Sequence, residues 1–386
     1  MLRRCFHIFT QHNPRLVRVV TEYGPETLDF SFFPQPEYDV DIVQVTQDTF
    51  EEQVAALPKS CVVINLIDNV DDHDGHVSGH TAIHTYEQHG LPYTGASVQN
   101  FSTMKTSLKK PGVQTPKFVR IANRASKKMQ SELDDLMFPL IVKPETDFGG
   151  STFIKKDTFV RSMAQLHSVV KSFPCRHMIV EEFIEGREYT CVAHETLKKS
   201  QGPHVFDPLE VLFPTGEIFQ HEELKWQLDK SKEIKYGDVR PEDAQVKDAI
   251  IETVKEAWRI LGHDGYIRYD IRVRGSGPGL VNRSDCYIID ANAYCSLYCQ
   301  PDCMHEADTI IKKSETTDHL HFTQYLIKLA IRRETKRKKK LMREVAKELK
   351  KEKKRLAKVC ESTTGAEGGG DRGSSENASV PPPTDS

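Results

Sequence analysis

The sequence predicts an α/β protein that continues into antiparallel α+β structure, followed by a basic helix and a disordered tail. Three patterns carry this prediction. Short apolar runs alternate with polar helical stretches over residues 1–103, which argues for strands and helices in alternation. Strand–turn–strand units then appear between residues 138 and 294, around one long amphipathic segment. Finally, the charge is divided unevenly along the chain. Residues 331–358 hold fifteen Lys/Arg against four Glu, a net +11, while residues 359–386 carry −4 and residues 1–330 carry −10. An acidic body and a cationic arm need separate explanations.

The first strands are LVRVV (16–20), VDIVQV (40–45) and CVVINLI (61–67), with FEEQVAAL and GHTAIHTYEQHG as the helices between and after them. HGLPYTGAS (89–97) turns the chain through Gly and Pro. From Phe101 to Asp135 two helical segments flank GVQTPKFVRI. FPLIVKP (138–144) reads as a buried strand that ends on Lys143 and runs into the loop ETDFGGSTFI. MIVEEFIEGREYTCVAH (178–194) reads as a strand, a tight turn at Gly186 and a second strand. In PEDAQVKDAIIETVKEAWRILG (241–262), Val246, Ile250, Val254, Ala257 and Ile260 or Leu261 fall on one helical side, and Gly262 sits where a C-terminal cap belongs. GYIRYDIRVRGSGPGLVNRSDCYIIDANAY (265–294) reads as a hairpin of Tyr266–Val273 with Cys286–Asp290. Beyond Thr309 the chain is helical and increasingly cationic, and the Gly/Ser/Pro-rich end cannot bury enough to fold.

Bulk composition narrows the function classes. The chain has 386 residues, enough for two or three domains, with 38% hydrophobic and 28% charged residues. No apolar run approaches the ~18 residues of a membrane helix. The start MLRRCFHIF is too short for a secretory signal, although its arginines are compatible with mitochondrial import. Nine cysteines without paired spacing fit a reducing compartment, hence a cytoplasmic protein, or a nuclear one if KRKKK (336–340) is an address.

The hairpin holds the most informative residues. Arg268 and Asp270 share one strand face, as do Asp290 and Asn292. In-register pairing brings three oxygen-bearing groups and one guanidinium together, a set suited to Mg²⁺ on phosphates or, more simply, to a solvated face. Lys143 beside Gly149, Gly150, Ser151 and Thr152 offers a point charge and free N–H groups for phosphate, as an ordinary surface loop also would. Glu181–Ile184 followed by Glu188 offers main-chain groups for a base edge and a carboxylate for ribose hydroxyls; an edge strand with solvated glutamates has the same look.

In order along Leu91–Leu297, LPYTGAS…FSTMK, GVQTP, FPLIVKPETDFGGST, IVEEFIEGREYT, ELKW, GYIRYD and YIIDAN resemble the ATP-grasp superfamily, most closely the D-alanine–D-alanine ligases. The resemblance implies an ATP-grasp fold over residues 104–330 behind an N-terminal α/β pre-ATP-grasp domain at 1–103, with a basic helix at 331–358 and a disordered tail at 359–386. It implies ATP and Mg²⁺ (or Mn²⁺) as cofactors. Lys105, Lys143 and Lys225 would then meet phosphate, with Gly150, Ser151 and Thr152 as a lid. Glu181, Phe183 and Ile184 would meet adenine and Glu188 ribose. Asp270, Asp290 and Asn292 would hold metal, and Arg268 would lie beside the reacting carboxylate. The implied activity joins a small carboxylate to an amine through an acylphosphate; the alternative is a nucleotide-binding protein without ligation, in a binding or regulatory role.

The chain also departs from those ligases. Their glycine-rich N-terminal motif with a substrate-gripping glutamate has no counterpart in FHIFTQHNPRL, and IDNVDDHDGH replaces their His-Gly pair. Ala293-Tyr294-Cys295-Ser296 stands where they have a Pro-Gly turn, and Asp290 replaces a glutamate. The ATP half is retained and the amino-acid half rewritten. Cys295, Cys299 and Cys303, with His305, stand at steps of four or less, as on one helical face, more as buried or substrate-facing thiols than as a zinc site. The arm, with Leu341, Val345, Leu349 and Leu356 along it, reads as a solvated helix, a nucleic-acid or targeting patch, or a helix for an acidic partner.

Overall fold

In a computed structural model of the chain, the described residues are 16–67, 75–101, 108, 110–121, 127–145, 154–174, 177–225, 233–275, 281–293, 295–302 and 304–364. They fall into two units, 1–334 and 335–386.

The first unit opens with the parallel strands β1 (Leu16–Thr21), β2 (Asp39–Gln44) and β3 (Val62–Asn65), in the order β2-β1-β3. Parallel neighbours need crossovers, and the helices Phe50–Ala56 and Gly79–His89 supply apolar faces for one side of the sheet. Phe50, Val54, Ile83 and Tyr86 pack there on Val20 and Val63. The opposite side packs on Phe322, Leu326 and Ile327 of a helix that begins at His319.

Two antiparallel sheets follow. The strands β4 (Phe118–Ile121), β5 (Leu140–Pro144), β6 (Phe159–Val160) and β7 (Met178–Glu182) form a sheet in the order β4-β7-β5-β6. The helix Met163–Ser172 lays Leu166 and Val170 on its Val142 and Val180. The larger sheet runs β11-β10-β8-β12-β13, with β9 on β8: β8 (Gly186–His194), β9 (His204–Val205), β10 (Leu209–Leu212), β11 (Lys235–Asp238), β12 (Tyr266–Arg274) and β13 (Cys286–Asn292). The helix Ala244–Leu261 buries Val246, Ile250, Val254, Ala257 and Leu261, so Leu261 rather than Ile260 completes its apolar stripe. Gly262 ends that helix with φ 74°, the left-handed cap its position predicted.

Gly265 connects this sheet to the N-terminal part of the chain. Its φ is 66°, and a Cβ there would run into the backbone of Gly95 and Ala96. Gly265→Ala is therefore expected to destabilise the protein by about 3 kcal/mol or more, because neither backbone can yield cheaply. Denaturant unfolding checks this, and a midpoint equal to wild type would show that the contact relaxes freely.

One expectation fails. Residues 295–302 are not helical: Cys299 instead forms an isolated bridge with Leu28, and Tyr298 takes φ 70°. Pro301 and Asp302 mark a turn, and the spacing of the thiols carried no apolar periodicity to support a helix. Cys295 is buried and its thiol is pushed up to about 12, chiefly by burial, as expected of an inert side chain. Cys303 lies outside the described residues.

In the second unit the helix His319–Thr364 continues from Thr335, with Leu341, Val345, Leu349 and Leu356 exposed along it. Lys340–Glu344, Lys351–Glu348 and Arg355–Glu352 pair at helical spacing, each worth a few tenths of a kcal/mol. Residues 365–386, the greater part of the expected disordered tail, lie outside the described residues. Among the described residues no helix is long and apolar enough to cross a membrane.

Candidate active site

Strands β12 and β13 pair antiparallel, with Arg268 opposite Asn292 and Asp270 opposite Asp290. A bulge follows immediately, between Asp270 and Ile271, and lets Ile289 stand out of register. The four residues singled out in the sequence are thereby brought to one place. Arg268 grips Asp270 with two donors, Nε to Oδ1 at 3.1 Å and Nη2 to Oδ2 at 3.0 Å. Asn292 donates its amide N–H to Asp270 Oδ2 at 3.0 Å, which leaves its carbonyl oxygen as an acceptor. Asp290 holds the Ala291 N–H with Oδ1 at 3.0 Å.

Three further residues complete this corner, and sequence reasoning missed them. Thr190 of β8, opposite Asp270, donates to its Oδ1 at 2.8 Å. Glu306, which opens the helix Glu306–Lys313, accepts from Arg268 Nη1 at 3.1 Å. Tyr236 of β11 donates to Glu306 at 2.8 Å. Burial pushes the Asp270 carboxyl up despite Arg268, and Asp290 and Glu306 add to the rise. Burial acts the same way on Glu306, but Arg268, a backbone N–H and Tyr236 outweigh it and hold that carboxyl at about 2. Glu306 therefore stabilises the fold above about pH 4.5, and this contribution is lost as pH falls towards 2. Glu306→Gln is expected to remove about 2–3 kcal/mol at neutral pH and to flatten the acid limb of a stability–pH curve. An unchanged acid limb would refute the pairing.

Oxygen donors from two facing carboxylates and an amide suit a hard divalent cation. The fit rests on the Asp270–Asp290 opposition: the single guanidinium of Arg268 is shared between Asp270 and Glu306, so a divalent cation beside Asp290 would balance the remaining negative charge. Among the described residues no three His, Cys, Asp or Glu side chains cluster as a metal site, so the candidate set depends on Asn292 as its third member.

Lys143 ties the two antiparallel sheets together. From β5 its Nζ meets Glu181 Oε1 of β7 at 2.5 Å, a diagonal neighbour on the same face. The same Nζ donates to the Ile289 carbonyl of β13 at 3.1 Å, at the bulge beside Asp290. The cation expected at phosphate thus lies against the acidic corner. Beyond β7 the hinge is fixed by Glu182 N–H to Lys117 O and Phe183 N–H to Pro139 O, both 2.9 Å. Phe183 packs edge-on to Phe159 at 4.8 Å between ring centroids and to Phe219 at 6.1 Å. Glu188, opposite Arg272 across β8 and β12, is paired with its guanidinium at 2.9 Å.

The remaining candidates are placed less fully. Lys225 ends the short helix Glu222–Lys225, and its side chain is outside the described set. Lys105 and the lid residues Gly150, Ser151 and Thr152 lie outside the described residues altogether.

Comparison with known proteins agrees with this architecture. Residues 108–284 match the family profile described as D-ala D-ala ligase C-terminus. The D-alanine–D-alanine ligase of Ralstonia pickettii is 29% identical over 222 residues, which cover 56% of this chain and 61% of that protein. That of Carboxydothermus hydrogenoformans is 27% identical over 214 residues, 52% of this chain and 62% of that protein. The chain thus spans about three fifths of the length of these relatives. Among solved structures, the Bacillus anthracis D-alanine–D-alanine ligase complexed with ATP aligns with TM-score 0.59 at 15% identity, covering 84% of this chain and 99% of that one. The Coxiella burnetii ligase aligns with TM-score 0.60 at 15% identity, covering 85% and 98%. The protein has the ATP-grasp fold, and in sequence and structure it resembles the D-alanine–D-alanine ligases.

Proposed function

We propose that the protein is an ATP- and Mg²⁺-dependent ligase that joins a small carboxylate to an amine, with an acceptor region unlike that of the D-alanine–D-alanine ligases. The observation that carries this is the register of β12 and β13, which sets Arg268, Asp270, Asp290 and Asn292 around one point while Lys143 of the other sheet bonds the Ile289 carbonyl beside Asp290. In this reading Asp270, Asp290 and Asn292 would hold the divalent cation, which would supply positive charge to phosphate oxygens. Lys143 supplies positive charge beside the phosphates. Arg268 orients the substrate carboxylate and offsets the charge that develops as its oxygen attacks the γ-phosphate. ADP leaves; the amine then displaces phosphate from the acylphosphate to give an amide. Such a reaction depends on positioning and charge rather than on a covalent nucleophile from the protein.

The substrate side is read from the departures. Ala293-Tyr294-Cys295-Ser296 stands where those ligases have a Pro-Gly turn, and just beyond it Asp308 accepts from the Tyr298 and Cys299 N–H groups at 2.8 and 3.1 Å. The altered sequence that follows Asn292 supports a substrate other than two D-alanines. For the cationic helix we propose an anionic partner, which salt-sensitive retention on a polyanion would test.

Nucleotide should raise the melting temperature only with divalent metal present, because the acidic corner otherwise repels phosphate. The shift follows RT ln(1 + [L]/Kd). Equal shifts by ATP in Mg²⁺ and in chelator would overturn the metal assignment.

A further inference from the structure

Arg272 belongs to none of the motifs that carry the resemblance, yet it touches three groups assigned above to adenosine. It stands two residues beyond Asp270 on the same face of β12. Its Nε pairs with Glu188 Oε2 at 2.9 Å, and its Nη1 donates to the Ile184 carbonyl at 3.0 Å. Its guanidinium carbon lies 4.2 Å from the centre of the Phe183 ring, at stacking distance. A further donor, Nη2, is spent on the Ile218 carbonyl. One side chain thus takes up the ring, the main-chain acceptor and the carboxylate that would meet base and ribose.

Two roles fit such contacts, and they differ in sign. Arg272 either braces these groups for the nucleotide or stands in the nucleoside's place. Burial decides between them. Arg272 is 3% exposed and Glu188 only 8% exposed. A ribose hydroxyl therefore has no open approach to Glu188 while the guanidinium stays where it is. The Phe183 face under the guanidinium is likewise closed to a base. The phosphate half differs, since among the described residues no hydrogen bond or ion pair joins Arg272 to Lys143, Asp270 or Asp290.

We propose that Arg272 is an internal competitor for the nucleoside half of the site, so that adenosine binds only when this side chain withdraws. The proposal rests on the nucleotide reading above. It makes Arg272 the residue that sets nucleotide affinity: observed binding is reduced by the fraction of molecules in which the guanidinium is seated. It also predicts an asymmetry, in which ligands with a nucleoside pay for the withdrawal and bare polyphosphates do not.

The test is calorimetric titration of Mg²⁺–ATP and Mg²⁺–tripolyphosphate into wild type and Arg272→Met. ATP should bind Arg272→Met about ten-fold or more tightly than wild type, with tripolyphosphate affinity unchanged. Glu188, left buried without its partner, could unfold that variant. Glu188→Gln is therefore compared with Glu188→Gln/Arg272→Met, and a gain in the same direction is expected between them, smaller because Glu188→Gln already loosens the guanidinium. ATP binding that stays equal or weakens on replacing Arg272 overturns the competitor and makes Arg272 a brace, while the nucleotide reading stands. Equal tightening of ATP and tripolyphosphate also overturns it, since the effect would not be confined to the nucleoside. Absence of ATP binding in every variant overturns both this proposal and the nucleotide reading.

Discussion

Arg268→Ala is expected to cost about 3–5 kcal/mol of stability, besides abolishing turnover, because Arg268 is the shared partner of Asp270 and Glu306. Truncation leaves two carboxylates in a mostly buried corner without their cation, and neither can regain water cheaply. The catalytic role is isolated by Arg268→Lys. A lysine keeps the charge but cannot reproduce the two-donor grip on Asp270. That variant should unfold near the wild-type temperature yet lose about a hundred-fold or more in ADP release, the scale of a misplaced charge-stabilising donor. Wild-type stability in Arg268→Ala would show that the corner is better solvated than its hydrogen bonds indicate. Wild-type turnover in Arg268→Lys would remove Arg268 from the chemistry.

Lys143→Ala should weaken ATP binding roughly ten- to a hundred-fold, the loss of one charge-assisted phosphate contact of about 1.5–3 kcal/mol. A second effect accompanies it, since Lys143 also joins Glu181 to the Ile289 carbonyl across the two sheets. The variant should therefore open more readily between β5 and β13, seen as faster amide exchange along β13. Titration with Mg²⁺–ATP reads the first effect. Undiminished affinity would place the phosphates elsewhere.

Much of the fold was legible because its elements obey simple periods. The runs at 16–20, 40–45 and 61–67 became β1, β2 and β3 within two residues at each end; β3 is buried throughout and reads as an unbroken apolar stretch, whereas the edge strand β2 keeps exposed Asp39, Asp41 and Gln44 among its apolar residues. The helix Ala244–Leu261 was legible from its apolar side and its glycine cap. The hairpin register was legible too, because a two-residue period fixes which side chains share a face. The same rule one step further along β12 reaches Arg272, which lies outside the GYIRYD motif. Glu306 could not have been found that way: it lies 38 residues beyond Arg268, and only tertiary packing joins them. Tyr236 meets Glu306 from 70 residues away, for the same reason. The four-residue cysteine spacing misled because it is a period of residue type rather than of hydrophobicity, and burial follows the latter.

The central claim, that this corner activates a carboxylate with ATP, is tested most directly by following oxygen. Amino acids carrying heavy oxygen in the carboxylate are supplied as a mixture with Mg²⁺–ATP, with and without added amines. Attack of the carboxylate on the γ-phosphate, followed by displacement by an amine, must leave one carboxylate oxygen in the released phosphate. The account predicts ADP and phosphate in equal amounts, release that depends on both substrates, and one heavy oxygen in each phosphate. Phosphate released without heavy oxygen would mean that water, not a carboxylate, attacks ATP, and would contradict the ligase reading.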